Sequence, residues 1–252
     1  MSLPDLPVQS TRVAASRAPL HRWGAAFEVL AVSGVPTQAA IALVLIVGFD
    51  MPHLTDDGFS LAFFATLSLL DTAVIVLLIR LFLRLSRERP ADVFIGARPV
   101  RGEFVRGLLL VPVVFAGVSG LVLALRTLAP WMHTVEENPL EAFLTSPGGA
   151  ALFLVVVIVA GGVREELQRA FILHRFEQHL GGIRLGLVLF SAAFGALHLD
   201  QGVDVALAIG VLGLIWGLVF VKRRSAVLPM VNHAGFNALQ VVQGLMVRSL
   251  GG

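Results

Sequence analysis

The chain has 252 residues, of which 56% are hydrophobic and only 14% are charged. A soluble domain carries roughly 25% charged residues, so the composition excludes a soluble globular protein and favours a membrane protein. The formal net charge is only +2 and there is no cysteine. Disulfides and cysteine-based metal sites are therefore excluded. Nucleic-acid binding is not expected, because the basic residues flank apolar segments and form no single patch.

The N-terminal segment, residues 1–22, combines three prolines with three arginines and has no clear hydrophobic periodicity. We predict that it is a flexible basic tail in the cytoplasm. Seven apolar segments follow, each of about the length that crosses a hydrocarbon layer of roughly 30 Å. They predict helices over residues 24–49, 59–85, 103–128, 147–180, 183–199, 203–221 and 226–249.

The predicted fold class is therefore all-α, a polytopic transmembrane bundle of about seven helices. Residues 23–128 hold three N-terminal transmembrane helices, and residues 145–249 hold the helical core that carries the chemistry. The fourth helix has a clear start, since Ser146 is an N-cap residue and Pro147 suits the first helical position.

The connecting segments alternate in charge, which predicts the orientation of the chain. Basic segments mark the cytoplasmic side of a membrane, and here they are the tail and residues 84–106, 175–184 and 222–224. The intervening segments carry acidic residues, namely Asp50, Asp56, Asp57, Glu136, Glu137, Glu141, Asp200 and Asp204. We predict a multi-pass protein of the plasma (inner) membrane, with the N-terminus in the cytoplasm and the C-terminus outside.

The fourth predicted helix turns from apolar to charged at Arg164, Glu165, Glu166 and Arg169. A charge at bilayer depth costs about 3 kcal/mol on insertion scales, so such a cluster must face the bundle interior or water. Glu165 and Arg169 are four residues apart and share a helix face, while Glu166 and Arg169 are three apart and can also touch. The alternative is a cytoplasmic helix end whose charges extend into the headgroups.

Two later helices add polar residues of a catalytic type. His198 stands late in the fifth helix, four residues after Phe194, and the seventh helix carries His233 and Asn237 four residues apart on one face. Alternatively, His198 lies at the outer interface, and His233 and Asn237 make polar contacts between helices. The three helices together supply a carboxylate, two imidazoles and an amide. Such a set of groups can activate water and stabilise an oxyanion.

These three motifs, in this order, resemble the CPBP intramembrane proteases, a family named for CAAX processing and bacteriocin processing, and its type II CAAX prenyl endopeptidase-like members. The family signatures are a glutamate pair followed by arginine, then Phe-x-x-x-His, then His-x-x-x-Asn. The resemblance covers roughly residues 145–245. The first three helices match only as generic membrane spans.

The resemblance implies a peptide hydrolase of the membrane interior. Glu165 or Glu166 with His198 would activate water, and His233 with Asn237 would stabilise the oxyanion. No cofactor is implied, although zinc held by glutamate and histidine is an alternative. The implied partners are the lipid bilayer and a peptide or protein substrate, C-terminal or membrane-anchored. The arginine-rich, lysine-poor composition indicates a bacterial protein.

One spacing departs from the family pattern. The family places three residues between the second glutamate and the arginine, and this chain has two. An ungapped register puts Arg164 on the first glutamate and Glu165 on the second. We predict that Glu165 is the functional glutamate, held charged by Arg169, and that Glu166, about 100° around the helix, orients a neighbouring helix or the arginine.

Two other functions fit parts of the pattern. An inactive family member would act as a membrane scaffold or a bacteriocin-immunity factor. A small-solute transporter would use the polar cluster as a pathway, with support from Glu28 in the first helix and Asp71 in the second. Each of these acids fits equally well as a buried partner of a basic or hydroxyl group.

Overall fold

The computed structural model describes residues 21–56, 58–136 and 138–251. The described part is helical except for loops and one two-stranded ribbon. Most of the predicted tail, residues 1–20, lies outside the described residues, and so do Asp57 and Glu137 of the acidic segments.

The helices occupy nearly the positions that the apolar segments predict. In chain order they are α1 (Arg22–Val32), α2 (Val35–Leu43), α3 (Leu61–Leu85), α4 (Pro90–Phe94), α5 (Val100–Leu109), α6 (Val111–Leu128), α7 (Pro147–Val156), α8 (Glu165–His179), α9 (Ile183–Ala196), α10 (Val203–Arg223) and α11 (Val227–Gly251). The short strands β1 (Leu54–Thr55) and β2 (Gly58–Phe59) pair antiparallel between α2 and α3.

The first apolar segment is broken, although the sequence predicts one helix over residues 24–49. Helix α1 ends before Gly34, which has a φ of +87°, and α2 continues as a π-helical turn over Val44–Gly48. The two parts differ in direction by 49°. The glycine permits the break because a left-handed backbone carries little steric cost without a Cβ atom.

Helix boundaries also shift in the third and fifth segments. The predicted helix over residues 103–128 is two helices, α5 and α6, which meet at Leu110. Pro112 lies in the first turn of α6, where its missing N–H is not needed. Helix α9 ends at Ala196, so His198 stands just beyond the helix and not within it.

The fourth segment begins as predicted and changes its winding midway. The Ser146 hydroxyl caps α7 by accepting a hydrogen bond from the backbone N–H of Gly149 at 3.1 Å. A π-helical stretch, Val157–Arg164, separates α7 from α8. Gly181 and Gly182, with φ values of +99° and +98°, terminate the segment.

The prediction of seven transmembrane helices is not confirmed. Within the described ranges, four continuous helical segments are long and apolar enough to cross a membrane, or five if the bent pair α1–α2 counts as one span. The four are Leu61–Leu85, Val111–Leu128, Pro147–His179 and Val203–Arg223. Helix α9 has 14 residues and is about 21 Å long, short of the roughly 30 Å hydrocarbon layer. The chain is nonetheless a multi-pass helical membrane protein.

Helices α8, α10 and α11 form the centre of the bundle. Phe171 and Leu173 of α8 are fully buried, and so is Leu212 of α10. Phe171 packs on the N-terminal helices α1 and α3, whereas Leu173 packs on α9 and α10. Gly161 and Gly162 of the π-helical stretch face α11, whereas Arg164 at its end faces Asp71 of α3.

Candidate active site

A close helix crossing brings the two charged motifs together. Gly162, in the π-helical stretch, lies against Ala234 of α11, and a Cβ atom on Gly162 would stand only 2.5 Å from the Ala234 Cβ. Only glycine permits backbones this close. The crossing places His233 over the start of α8, where Glu165 and Glu166 begin the helix.

Glu166 is buried, and one of its two carboxylate oxygens has two partners. Its side chain is 1% exposed, and its Oε1 accepts a hydrogen bond from Nη1 of Arg169. The same oxygen lies 2.9 Å from Nδ1 of His233. The hydrogen-bonded partner of Arg169 is therefore Glu166 and not Glu165, the second of the two pairings that the spacing allows. A buried carboxylate is stable only with such a partner, and spacings of three and four residues both allow one.

Glu165 is the freer carboxylate of the pair. Its side chain is 20% exposed. Its Oε1 is 3.5 Å from Nη2 of Arg164, and its Oε2 is 3.9 Å from Nε2 of His233. The second distance is too long for a direct hydrogen bond. Oε2 of Glu165 is therefore near the imidazole but is not hydrogen-bonded to it.

Arg164 connects the site to the N-terminal helices. It is buried, donates to Gln168 at 3.1 Å and approaches Asp71 of α3 at 3.5 Å. Asp71 is fully buried and also accepts hydrogen bonds from Thr37 at 2.5 Å and Gln38 at 3.1 Å. Asp71 is thus a buried partner of a basic group and a hydroxyl. The sequence allowed this role or a place in a transport pathway.

Aromatic rings enclose Arg169. Its guanidinium carbon lies 5.0 Å from the ring centroid of Phe190, 4.9 Å from that of Phe194 and 5.6 Å from that of Trp216. Its Nε and Nη2 have no hydrogen-bond partner among the described residues. The ring faces supply part of the missing stabilisation, because an aromatic face attracts a cation.

Trp216 is a site residue that sequence reasoning missed. Its ring stacks on His233 with centroids 3.8 Å apart and planes 22° apart. Its Nε1–H donates to Oδ1 of Asn232 at 2.8 Å, and the Asn232 amide donates to the carbonyl oxygen of Gly107 at 3.1 Å. A signal was available, because tryptophan favours membrane interfaces and Trp216 lies well inside an apolar helix.

His198 is close to the cluster but does not join it by a hydrogen bond. Its Nδ1 lies 2.8 Å from the carbonyl oxygen of Phe194. The Phe194 ring packs edge-on against both imidazoles, with centroids 5.1 Å from His198 and 6.1 Å from His233. A carbonyl only accepts, so Nδ1 carries the proton and Nε2 carries the free lone pair.

Asn237 lies one turn beyond His233 on α11 and faces the π-helical stretch. Its Nδ2 donates to the carbonyl oxygen of Val157 at 3.0 Å. Gly161 leaves room for this amide, since a Cβ atom there would stand 2.5 Å from Nδ2. The amide nitrogen has two N–H groups, so one remains for another acceptor.

The protonation of His233 follows from its partner. A carboxylate that accepts from a guanidinium is ionised and can only accept, so Nδ1 of His233 donates to Glu166. In the neutral ring, Nε2 then carries a lone pair directed toward Glu165. The cluster therefore holds an accessible carboxylate beside a histidine whose tautomer is fixed.

Across the described residues, no group of three or more His, Asp or Glu side chains has the arrangement of a metal site. The structure thus brings Glu165, Glu166, Arg169 and His233 together, and places His198 and Asn237 at the periphery of the same cluster.

Comparison with known proteins gives one match. No curated protein and no solved structure matches the chain. A family model, described as type II CAAX prenyl endopeptidase Rce1-like, matches residues 147–239. That segment contains all six predicted site residues. The match confirms, over these residues, the resemblance to type II CAAX prenyl endopeptidases that the three motifs indicate.

Proposed function

We propose that the chain is an intramembrane endopeptidase that hydrolyses a peptide bond with water activated by Glu165. The family match supports CAAX-protease-type activity. One observation carries the choice of residue: Glu165 is accessible and lies 3.9 Å from His233, whereas Glu166 is buried and bonded to both Arg169 and His233. A base must present a lone pair to the water, and the carboxylate of Glu165 is 20% exposed while that of Glu166 is 1% exposed.

In this mechanism Glu165 removes a proton from water, and the resulting hydroxide adds to the scissile carbonyl carbon. His198 assists through Nε2, which is free to accept because Nδ1 is bound to a carbonyl. The carbon–nitrogen bond then breaks, and the proton held by the base passes to the leaving amine. General bases of this kind typically accelerate reactions by 10²–10⁴.

Two groups on α11 are assigned to the oxyanion. Asn237 offers the N–H that its bond to Val157 leaves free. His233 donates from Nε2 only when the ring is protonated, since its other nitrogen is bound to Glu166. Glu166 therefore fixes the orientation of the His233 ring, and Arg169 holds Glu166 in place.

A second candidate function rests on Arg164. In the ungapped register this arginine replaces the first glutamate of the family, and here it is paired with Asp71. An inactive family member that acts as a scaffold or immunity factor would tolerate this replacement. The transporter alternative has no such support, because Asp71 and Glu28, on which it relied, are paired with buried arginines.

We further propose that the substrate is a C-terminal or membrane-anchored peptide segment that reaches the site from the cytoplasmic half of the plasma membrane. The N-terminus lies in the cytoplasm and the C-terminus outside. Catalysis needs no metal, and stoichiometric zinc in the purified protein, with activity lost on chelation and restored by zinc, would refute this.

The experiment that tests the function compares membranes that contain the wild-type chain with membranes that contain Glu165→Gln. Mass spectrometry of protein termini should reveal new C- and N-terminal peptides only with the wild type. Glu141→Gln is the matched control, since Glu141 is an exposed acid outside the site. Termini that are equal with wild type and Glu165→Gln would contradict the proposal. Their absence from wild type, with the protein present, would favour the inactive family member.

A further inference from the structure

A basic pocket lies at the end of α3, away from the candidate active site. It is open, encloses about 530 Å³ and is lined by Arg80, Leu81, Arg84, Arg87, Glu88 and Pro90. The three arginines are exposed. The pocket is therefore a concentration of positive charge with room for a ligand.

The one acid in the wall does not neutralise these arginines. Glu88 receives hydrogen bonds from outside the pocket, from Arg175 at 2.5 Å, Gln178 at 3.0 Å and His174 at 2.7 Å. Within the described residues, no carboxylate comes within salt-bridge distance of Arg80, Arg84 or Arg87. The three guanidinium groups thus remain available for an anion.

The pocket stands at the end of a lipid-facing surface. Leu77 is 65% exposed and Leu81 is 48% exposed, on a helix that is apolar and long enough to cross a membrane. Arg80 and Arg84 follow Leu77 by three and seven residues and so share its helix face. Large apolar side chains that are exposed on a membrane helix face acyl chains. The arginines next to them therefore lie at headgroup level.

We propose that this pocket binds the headgroup of an anionic phospholipid from the surrounding bilayer. A guanidinium group binds phosphate through two parallel hydrogen bonds, and basic groups beside a membrane span attract anionic lipids. The leucines of α3 pack against the acyl chains of the same molecule. This last contact distinguishes a lipid from a free phosphate ion.

The test measures lipid retained by the purified full-length chain with native mass spectrometry, after exchange into equal amounts of phosphatidylglycerol and phosphatidylcholine. Wild type should retain phosphatidylglycerol preferentially. The triple variant Arg80→Gln, Arg84→Gln, Arg87→Gln should bind it roughly 100-fold more weakly, at about fivefold per arginine. The control variant Arg22→Gln, Arg101→Gln, Arg184→Gln removes the same charge from exposed positions outside the pocket and should bind as wild type does.

An equal loss in both triple variants would show a diffuse charge effect and overturn the proposal, as would full retention in the pocket variant. If inorganic phosphate displaces phosphatidylglycerol at an equal concentration, the pocket is an anion site and not a lipid site. If the triple variant does not fold, Arg84→Gln alone should show an affinity about fivefold weaker, and an unchanged affinity in it would contradict the assignment.

Discussion

Glu165 and Glu166 are neighbours in sequence but occupy different environments. Glu166 is buried between Arg169 and His233, while Glu165 is partly exposed beside Arg164. Removing one member of a buried ion pair leaves the other charge without compensation, which typically costs 3–5 kcal/mol. The two carboxylates should therefore differ sharply in their contribution to stability.

We expect Glu166→Gln to lower the free energy of unfolding by about 3–5 kcal/mol, because Arg169 loses its ionised partner. Glu165→Gln should lower it by less, because Glu165 is partly exposed and its contact with Arg164 is longer, at 3.5 Å. Thermal unfolding of the purified variants in one detergent measures both. Equal losses of stability would mean that the ion pairs are not arranged as described.

Trp216 should act on His233 through position, since it stacks on the ring and is itself held by Asn232. We expect Trp216→Leu to lower kcat at least tenfold with a smaller change in KM, because a misplaced catalytic group costs about 10²-fold for a shift of 1 Å. Trp131→Leu is the control, since Trp131 is 76% exposed. A loss confined to protein yield, with kcat intact, would reduce Trp216 to a packing residue.

At the residue scale, the sequence predicted which side chains gather but not how they pair. Spacing alone allows Arg169 to meet Glu165 or Glu166, and the choice depends on the neighbouring helix. His233 bonds to Glu166, and this contact comes from a residue 67 positions away in the chain. The unusual position of Trp216 inside an apolar helix was a signal in the sequence, but its stacking on His233 depends on how α10 and α11 pack.

At the scale of elements, the crossing of the π-helical stretch with α11 determines the site. Gly162→Ala would place a Cβ atom 2.5 Å from that of Ala234. Forced overpacking costs about 1–3 kcal/mol and would separate His233 from the two glutamates. We expect a lower melting temperature and strongly reduced turnover.

Gly117→Ala is the matched control, because Gly117 lies in α6 and a Cβ atom there meets nothing within 4 Å. Alanine favours helix formation over glycine by up to about 1 kcal/mol, so this variant should be as stable as wild type or more so. An unaffected Gly162→Ala variant would show that the helices do not approach this closely.

The loop after α3 is joined to α8 by Glu88. Burial raises the pKa of Glu88, but hydrogen bonds from His174, Arg175 and Gln178 outweigh it and lower the pKa from 4.5 to about 2. The folded state therefore favours the ionised form. Its stabilising effect is complete above the unfolded pKa of 4.5 and is lost as the pH falls toward 2.

We expect the melting temperature to fall between pH 4.5 and pH 2 more steeply in wild type than in Glu88→Gln, which cannot lose this proton-linked stability. Differential scanning fluorimetry across this range measures the difference. Parallel pH profiles would contradict the assigned partners of Glu88.

At the scale of the element, start and stop signals were reliable and breaks were not. Ser146-Pro147 and Gly181-Gly182 bound the fourth segment as residue chemistry predicts. The break at Gly34 and the π-helical winding before Glu165 were not predicted. A glycine in an apolar run is compatible with both straight and broken helices. The π-helical winding depends on how α11 packs against residues 157–164.

At the scale of the whole molecule, the helices outside the matched segment support the site directly. Asp71 of α3 approaches Arg164, and Glu28 of α1 accepts a hydrogen bond from Arg175 of α8 at 2.6 Å. The sequence predicted a membrane-embedded helical bundle from composition alone. It could not fix the number of spans, because α9 is too short for a full span and the apolar sequence of α11 is interrupted by Asn232, His233 and Asn237.

The activation of water by Glu165 is the step on which the proposed hydrolysis of a peptide bond depends. Its most direct test is the turnover of a peptide spanning a cleavage site found in membranes, with purified wild type, Glu165→Gln and Glu141→Gln in liposomes. We expect Glu165→Gln to lose 10²–10⁴ in kcat while keeping its melting temperature, and Glu141→Gln to match wild type. Full turnover in Glu165→Gln, with none in a folded Glu166→Gln, would contradict the account.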